Sequence, residues 1–226
     1  KARQHCWLVD SKGLVVKSRT DLVDHKLHYA HEHPPVSDFL AAIKDLKPTA
    51  IIGVAAVGGT FNPEVLAEMA RLNTQPIIFA LSNPTSKAEC TAEQAYRGTD
   101  GRALFACGSP FDPVTLNGKT FVPRQGNNSY IFPGVGLGAI ASKTTRINDA
   151  MFMAAARTLA ELVTDDDLKQ GSLFPALARI REVSAQIGVA VAENAYASGL
   201  AGKPKPQDVM ADVREQMYDP RYQSYV

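Results

Sequence analysis

The chain has 226 residues, 45% of them hydrophobic and 21% charged, and a formal net charge of +1. This balance fits an ordinary globular protein with a sizeable core, and it gives no general electrostatic argument for nucleic acid or an anionic membrane as partner. Three widely spaced cysteines without a CxxC exclude a zinc pattern and a disulfide framework, and the longest apolar run, around residues 134–141, is too short and too rich in glycine to span a bilayer.

Residues 5–10 (HCWLVD) are predicted to form a short buried strand ending at Asp10. His25, His28, His31 and His33 follow within a polar connection. A zinc site needs four ligands in tetrahedral geometry, and no cysteine or partner tract lies near these histidines. Residues 38–46 (DFLAAIKDL) read as a helix with Ser37 as its N-cap, and residues 50–55 (AIIGVA) as a strand. Asn62-Pro63-Glu64 opens a second helix with a cap, a proline at the first helical position and a carboxylate in the first turn. Its apolar face is Val65, Leu66, Met69 and Leu72. Residues 76–80 (PIIFA) form a third strand, Thr91 to Gln94 has capping-box spacing for a third helix, and residues 103–106 (ALFA) form a fourth strand. Cys107 has no base near it in sequence and reads as a small buried residue at a strand end.

This alternation predicts a parallel sheet with helices on both faces. After Phe132 the pattern turns helical. Helices are predicted over 134–143, 149–163 and 175–197, with Gln170-Gly171-Ser172 as a stop signal between the last two. Asp165-Asp166-Asp167 reads as a helix start or a solvated turn. The tail from Gly202 is rich in proline and charge, then in tyrosine (Tyr218, Tyr222, Tyr225), and is expected to pack on the domain surface or on another subunit.

A dinucleotide-binding half opens with a strand, a Gly-rich turn and a helix, and carries an acidic residue about 20 residues later. Asp10 reads as that residue. The first βα unit is therefore expected ahead of Lys1, and the chain reads as a fragment. The fold class is α/β: an incomplete Rossmann-like parallel sheet with flanking helices over residues 1–132, followed by a helical C-terminal segment over 133–226. Gly134-Val135-Gly136-Leu137-Gly138-Ala139 matches G-x-G-x-x-A, but Pro133 precedes it and no strand ending in an acid follows. It reads as a helix whose small residues allow close packing against the sheet or a nicotinamide.

Ligands in open α/β sheets bind beyond the carboxyl ends of the strands. On pattern alone, residues 53–59 (GVAAVGG) serve equally as a ligand loop or a tight turn. Asp10 would accept from ribose hydroxyls, which favours NAD. Ser11 offers a donor and Lys12 a cation, with Lys26 as another, and such groups could surround a 2′-phosphate; otherwise the segment is an exposed turn. Asn83, placed before Pro84 and so biased to an extended conformation, and Asn127 and Asn128 are carboxamides able to donate to a carboxylate and accept from a hydroxyl. The competing role for them is loop capping.

Three segments carry a family resemblance: Phe79-Ala80-Leu81-Ser82-Asn83-Pro84-Thr85, residues 124–134 (RQGNNSYIFPG), and the glycine-bounded loop between Ile52 and Thr60. They resemble the second half of a malic enzyme, and the likeness runs from about Trp7 to Asp219. The resemblance implies oxidative decarboxylation of L-malate to pyruvate and CO2 with reduction of NADP rather than NAD. It implies cofactor contacts from Asp10, Ser11, Lys12, Lys26, Val54, Ala55, Gly58, Ser82 and Asn83, and substrate contacts from Asn83, Asn127 and Asn128. The family's general base (a lysine), general acid (a tyrosine) and acidic ligands for a divalent Mg or Mn ion belong to motifs absent from this chain, so no catalytic or metal residue is expected here. Also implied are a homo-oligomer (dimer or tetramer) in the intact enzyme and residence in the cytoplasm or an organelle matrix. Bottom-up reading alone leaves open a free-standing nucleotide-binding or oligomerisation module without activity.

Overall fold

The computed structural model describes residues 2–219 and divides the chain into two compact units, Lys1–Pro123 and Arg124–Val226. The tyrosines at 222 and 225 lie outside the described residues.

In the first unit, β1 (Val9–Asp10) and β2 (Gly13–Leu14) form an antiparallel hairpin. The expected strand over 5–10 is thus shorter, because Ala2–His5 turns as a 3-10 helix and only Val9 and Asp10 join a ladder. A short helix α1 (Asp24–Leu27) follows. Helix α2 (Phe39–Leu46) is capped by Asp38, not by Ser37. The Asp38 carboxylate accepts from the backbone N–H groups of Leu40 and Ala41, and two acceptor bonds outweigh what one hydroxyl a residue earlier could supply.

Strands β3 (Ala50–Gly53), β4 (Ile77–Ala80) and β5 (Leu104–Cys107) are parallel and in register, with Gly53, Ala80 and Cys107 level at their carboxyl ends. Helix α3 (Pro63–Leu72) is capped by Asn62, whose carboxamide accepts from Val65 N–H, with Pro63 in the first turn. Helix α4 (Ala92–Gly98) carries the complete Thr91/Gln94 capping box. Ile43, Val65, Leu66, Met69, Ala95 and Tyr96 from the three helices share one core with Ile51, Ile78 and Phe105 from the strands. This is the packing that alternate apolar strand residues and i, i+3, i+4 helix faces require. A hairpin of β6 (Val114–Leu116) and β7 (Lys119–Phe121) closes the unit.

The second unit begins with the short strand β8 (Arg124–Gln125) and is otherwise helical: α5 (Phe132–Ser142), α6 (Asp149–Glu161), α7 (Asp165–Lys169), α8 (Ile180–Ala197) and α9 (Val209–Glu215). The three predicted long helices are present, the last starting at Ile180 because Leu177–Arg179 turns as a 3-10 helix. Asp165 does open a helix, α7, with Thr164 and Asp167 as its capping box. Helix α9 was not expected from the tail's composition, although Asp208 caps it by accepting from Ala211 N–H. The small residues of α5 pack against α8. A Cβ on Gly138 would lie 2.5 Å from Gly188 O and 2.7 Å from Val191 Cβ. The G-x-G-x-x-A match therefore marks a helix–helix contact.

Candidate functional site

The level strand ends place three loops of the first unit side by side. Leu81 N–H donates to Gly53 O (2.9 Å) and Gly108 N–H to Ala80 O (2.8 Å), so each loop starts hydrogen-bonded to the strand before it. Two side chains then tie the loops further on. The Ser82 hydroxyl accepts from Ala56 N–H at 2.9 Å and donates to the buried Glu89 carboxylate. Ser109 Oγ donates to Asn83 Oδ1 at 2.7 Å.

Val54, Ala55 and Gly58 are exposed along the loop after β3. Ala56 at its centre has φ 55°, a left-handed conformation unfavourable for alanine. Its N–H bond to Ser82, with Gly59 N–H to Ala88 O at 3.1 Å, holds that conformation in place. Glu89 also lies directly against Gly53, where any Cβ would overlap its side chain. Glycine is the residue that fits there without displacing the Glu89 side chain. Asn83 is exposed, joined to Pro84 by a cis peptide bond, and its Oδ1 accepts from Ser109, which leaves the two Nδ2 donors for a ligand acceptor. Asn83 in this arrangement keeps both Nδ2 donors and one of the two Oδ1 lone pairs.

A charged cluster is built on the β1–β2 hairpin. Asp10 accepts from Arg19 Nη1 (2.9 Å) and Nη2 (3.2 Å), from Lys26 Nζ, and from Lys12 N–H (3.0 Å) in the turn. Lys12 Nζ reaches Asp21 at 2.7 Å, and Arg19 Nε and Nη2 each reach Asp21 at 3.0 Å. Arg19 beside Asp10, then Lys26, holds that carboxyl well below the usual carboxylate range. Arg19 and Lys12 do the same to Asp21. Three of the expected residues, Asp10, Lys12 and Lys26, are thus brought together; Ser11 is exposed in the same turn. Sequence reasoning missed Arg19 and Asp21. Both sit in an irregular polar stretch, and only the hairpin reversal carries them back to Asp10.

An apolar groove of about 480 Å³ is lined by Trp7, Leu8, Val9, Ile51, Ile52 and Val54. Within the first unit it connects the strand that carries Asp10 with the loop after β3.

Asn127 and Asn128 belong to the second unit. Asn127 Oδ1 accepts from Ser129 N–H at 2.9 Å and caps a 3-10 turn over Asn128–Tyr130, and both asparagines are exposed. Tyr130 is buried, its hydroxyl donating to Pro175 O at 2.6 Å. Arg124 Nε donates to Ser172 Oγ at 3.2 Å, and its Nη2 approaches Asp167 at 3.5 Å.

Two of the four histidines make other contacts. His31 stacks on Trp7 with ring centroids 4.0 Å apart, and His33 Nε2 lies 3.3 Å from Asp45. Among the described residues no group of three or more His, Cys, Asp or Glu is placed to hold a metal ion. Cys107 ends β5 in the core, and burial pushes its thiol up to about 11. Burial, reinforced by Glu89, pushes Cys90 up to about 12. Among the described residues no helix is long and apolar enough to cross a membrane.

Comparison with known proteins gives one consistent result. Residues 1–196 match the family described as malic enzyme, NAD binding domain. The NADP-dependent malic enzyme of Anas platyrhynchos is 52% identical over 227 residues, covering 100% of this chain and 41% of that protein. The NADP-dependent malic enzyme of Homo sapiens is 52% identical over 98% of this chain and 39% of its own length. A crystal structure of the Entamoeba histolytica malic enzyme superposes on 92% of the chain with a TM-score of 0.73 at 23% identity, covering 42% of that structure. The Pyrococcus horikoshii malic enzyme gives 0.69 at 25% identity over 92% of the chain and 45% of that structure. The chain spans about two fifths of the length of the curated relatives it matches.

Proposed function

The chain belongs to the malic enzyme family through its NAD-binding domain, and on that premise we propose that it forms the NADP-binding part of an enzyme that oxidises and decarboxylates L-malate to pyruvate and CO2. Residues 1–132 are read as a partial dinucleotide-binding domain and 133–226 as its helical continuation. The observation that carries the cofactor choice is the cluster on Asp10. An isolated Asp at this position favours the free ribose of NAD and repels a 2′-phosphate. Here Arg19 and Lys26 neutralise it, and Lys12 adds a third cation beside Ser11. Such a donor set suits a phosphate monoester.

NADP bound there would supply the acceptor for the hydride at C2 of malate. The chain's own part is to bind and orient. Lys12, Lys26 and Ser11 hold the adenosine end. Val54, Ala55 and Gly58 offer exposed backbone to the cofactor, and Ser82 fixes that loop through Ala56. Asn83 donates its Nδ2 hydrogens to a substrate carboxylate, with Asn127 and Asn128 as further polar contacts to malate. The described residues do not provide the three ligands a divalent metal needs, so no step through a metal is assigned to this chain. The intact enzyme is read as a homo-oligomer, dimer or tetramer, which sedimentation of the full-length protein would check.

The test is to replace Lys12 and Lys26 by glutamine in the full-length enzyme and compare cofactors. KM for NADP should rise by about tenfold or more while KM for NAD changes little, since a charge-assisted hydrogen bond contributes about 1.5–3 kcal/mol and exposed pairs less. An equal effect on both cofactors would show that the lysines are ordinary surface charges.

A further inference from the structure

We infer that Asp21 sets how strongly this chain prefers NADP, by occupying the cations that a 2′-phosphate would use. The inference rests on the reading of the Asp10 cluster as the 2′-phosphate site.

Three cations and two carboxylates meet in the cluster, and every cation already has a carboxylate partner. Arg19 is the bridge: Nη1 and Nη2 serve Asp10, while Nε and Nη2 serve Asp21. Lys26 belongs to Asp10 and Lys12 to Asp21. A phosphate monoester can gain full contact with these donors only if a carboxylate yields or shares them. The two carboxylates are not equally placed to do so. The Asp10 side chain is 20% exposed, lies in a strand, and is further held by the Lys12 backbone N–H. Asp21 is 34% exposed, lies in an irregular segment, and its lysine partner Lys12 is 67% exposed. Asp21 is therefore the group that gives way.

The consequence is selective. The free ribose of NAD needs only an acceptor, which Asp10 supplies, and no cation need be released. A 2′-phosphate must compete with the Asp21 carboxylate for Lys12 and Arg19, and it brings negative charge beside a group that is already negative. Asp21 thus weakens NADP binding without opposing NAD. The five side chains carry one net positive charge as they stand, and neutralising Asp21 would leave two.

The experiment uses the full-length enzyme with Asp21→Asn, which keeps the shape and one acceptor for Arg19 or Lys12 while removing the charge. Asp21→Ser serves as a second variant should the first fail to fold, with thermal unfolding as the check. The readouts are KM for NADP and NAD, and inhibition by 2′,5′-ADP and 5′-AMP, which differ only by the 2′-phosphate. The expected result is a fall of roughly threefold to thirtyfold in KM for NADP and in the inhibition constant of 2′,5′-ADP, a range set by the cost of juxtaposed like charges. NAD and 5′-AMP should stay within about twofold, because they bring no phosphate to the cluster. The gain should shrink as salt is raised. Equal changes for both cofactors, or weaker NADP binding, would overturn the inference. Lys26→Gln separates the two levels. If it affects NADP and NAD alike, the 2′-phosphate reading itself fails; if it discriminates while Asp21→Asn does not, only the role of Asp21 fails.

Discussion

Asn83 illustrates how a neighbour narrows a side chain's chemistry. A carboxamide can donate and accept, and with Ser109 Oγ donating to Oδ1 one of the oxygen's two lone pairs is taken while both donors remain for a ligand. Asn83→Leu in the full-length enzyme should leave a substrate carboxylate unpaired, at about 1–3 kcal/mol. That corresponds to roughly one to two decades in kcat/KM for malate at about tenfold per 1.36 kcal/mol. NADP titration without malate should change much less. Malate kinetics within about twofold of wild type in a folded variant would reduce Asn83 to a turn residue. The thiols give a second residue-scale expectation. Cys90 and Cys107 are buried and Cys6 is exposed, and burial raises the two core thiols so that both stay protonated at pH 8. Ellman's reagent should count one reactive thiol in the native chain and three after denaturation. Asp10 predicts a pH dependence of opposite sign. Arg19 and Lys26 depress its folded value, so its contribution to stability is complete above the ordinary carboxylate range and is lost as pH falls toward the folded value. The stability gap between wild type and Asp10→Asn should accordingly be widest near neutral pH and shrink steadily below about pH 4, which denaturant unfolding at several pH values would measure.

At the scale of elements, helix α5 offers a paired test. Gly138 faces α8, and a Cβ there meets Gly188 O and Val191 at 2.5 and 2.7 Å. Gly136, two residues earlier, would place a Cβ where nothing lies within 4 Å. Gly138→Ala should destabilise by about 1–3 kcal/mol through overpacking. Gly136→Ala should stabilise by up to about 1 kcal/mol, because alanine loses less backbone entropy in a helix. Denaturant midpoints that move the same way in both variants would refute the α5–α8 contact as described. The element level was largely legible beforehand. Asn62-Pro63, Thr91 with Gln94, and the alternation of short apolar runs with i, i+3, i+4 faces are signals held in adjacent residues, and each reappears as a cap, a strand or a helix. The misses have the same local character. Ser37 lost its cap to Asp38 because two neighbouring acceptors compete for the same N–H groups and the carboxylate makes two bonds. Helix α9 was hidden because proline and charge dominate the stretch before Asp208.

At the scale of the whole chain, strand β3 is an edge strand among the described residues, with Ile52 60% and Val54 73% exposed beside an apolar groove of about 480 Å³. Unpaired, apolar edges of this kind invite association. The chain by itself should therefore bind anilinonaphthalene sulfonate and self-associate in sedimentation at micromolar concentration. Ile52→Lys should reduce both by placing a charge on the edge. Dye binding and sedimentation unchanged in the folded variant would show that the groove is closed in solution. The chain alone is also expected to lack malate turnover with Mn²⁺ and NADP, since the motifs that the family resemblance assigns to the general base, general acid and metal ligands are absent from this sequence. A rate of about 1 s⁻¹ or more would overturn that expectation.

The sequence by itself determined the fold class, the caps at Asn62 and Thr91 and the family, because each rests on motifs whose residues are close together along the chain. It also placed Asp10, Lys12 and Lys26 as candidates for one ligand group. Only the tertiary structure decided which charges pair. Arg19 meets Asp10 across the β1–β2 reversal and Glu89 meets Ser82 across the turn after β4, and neither spacing carries a periodic signal. It likewise showed that Gly134 and Gly138 of α5 let α8 approach closely. The physical reason is common to these cases. A cap or an amphipathic face is set by a few neighbouring dihedrals, whereas a buried partner is chosen by where whole elements come to rest.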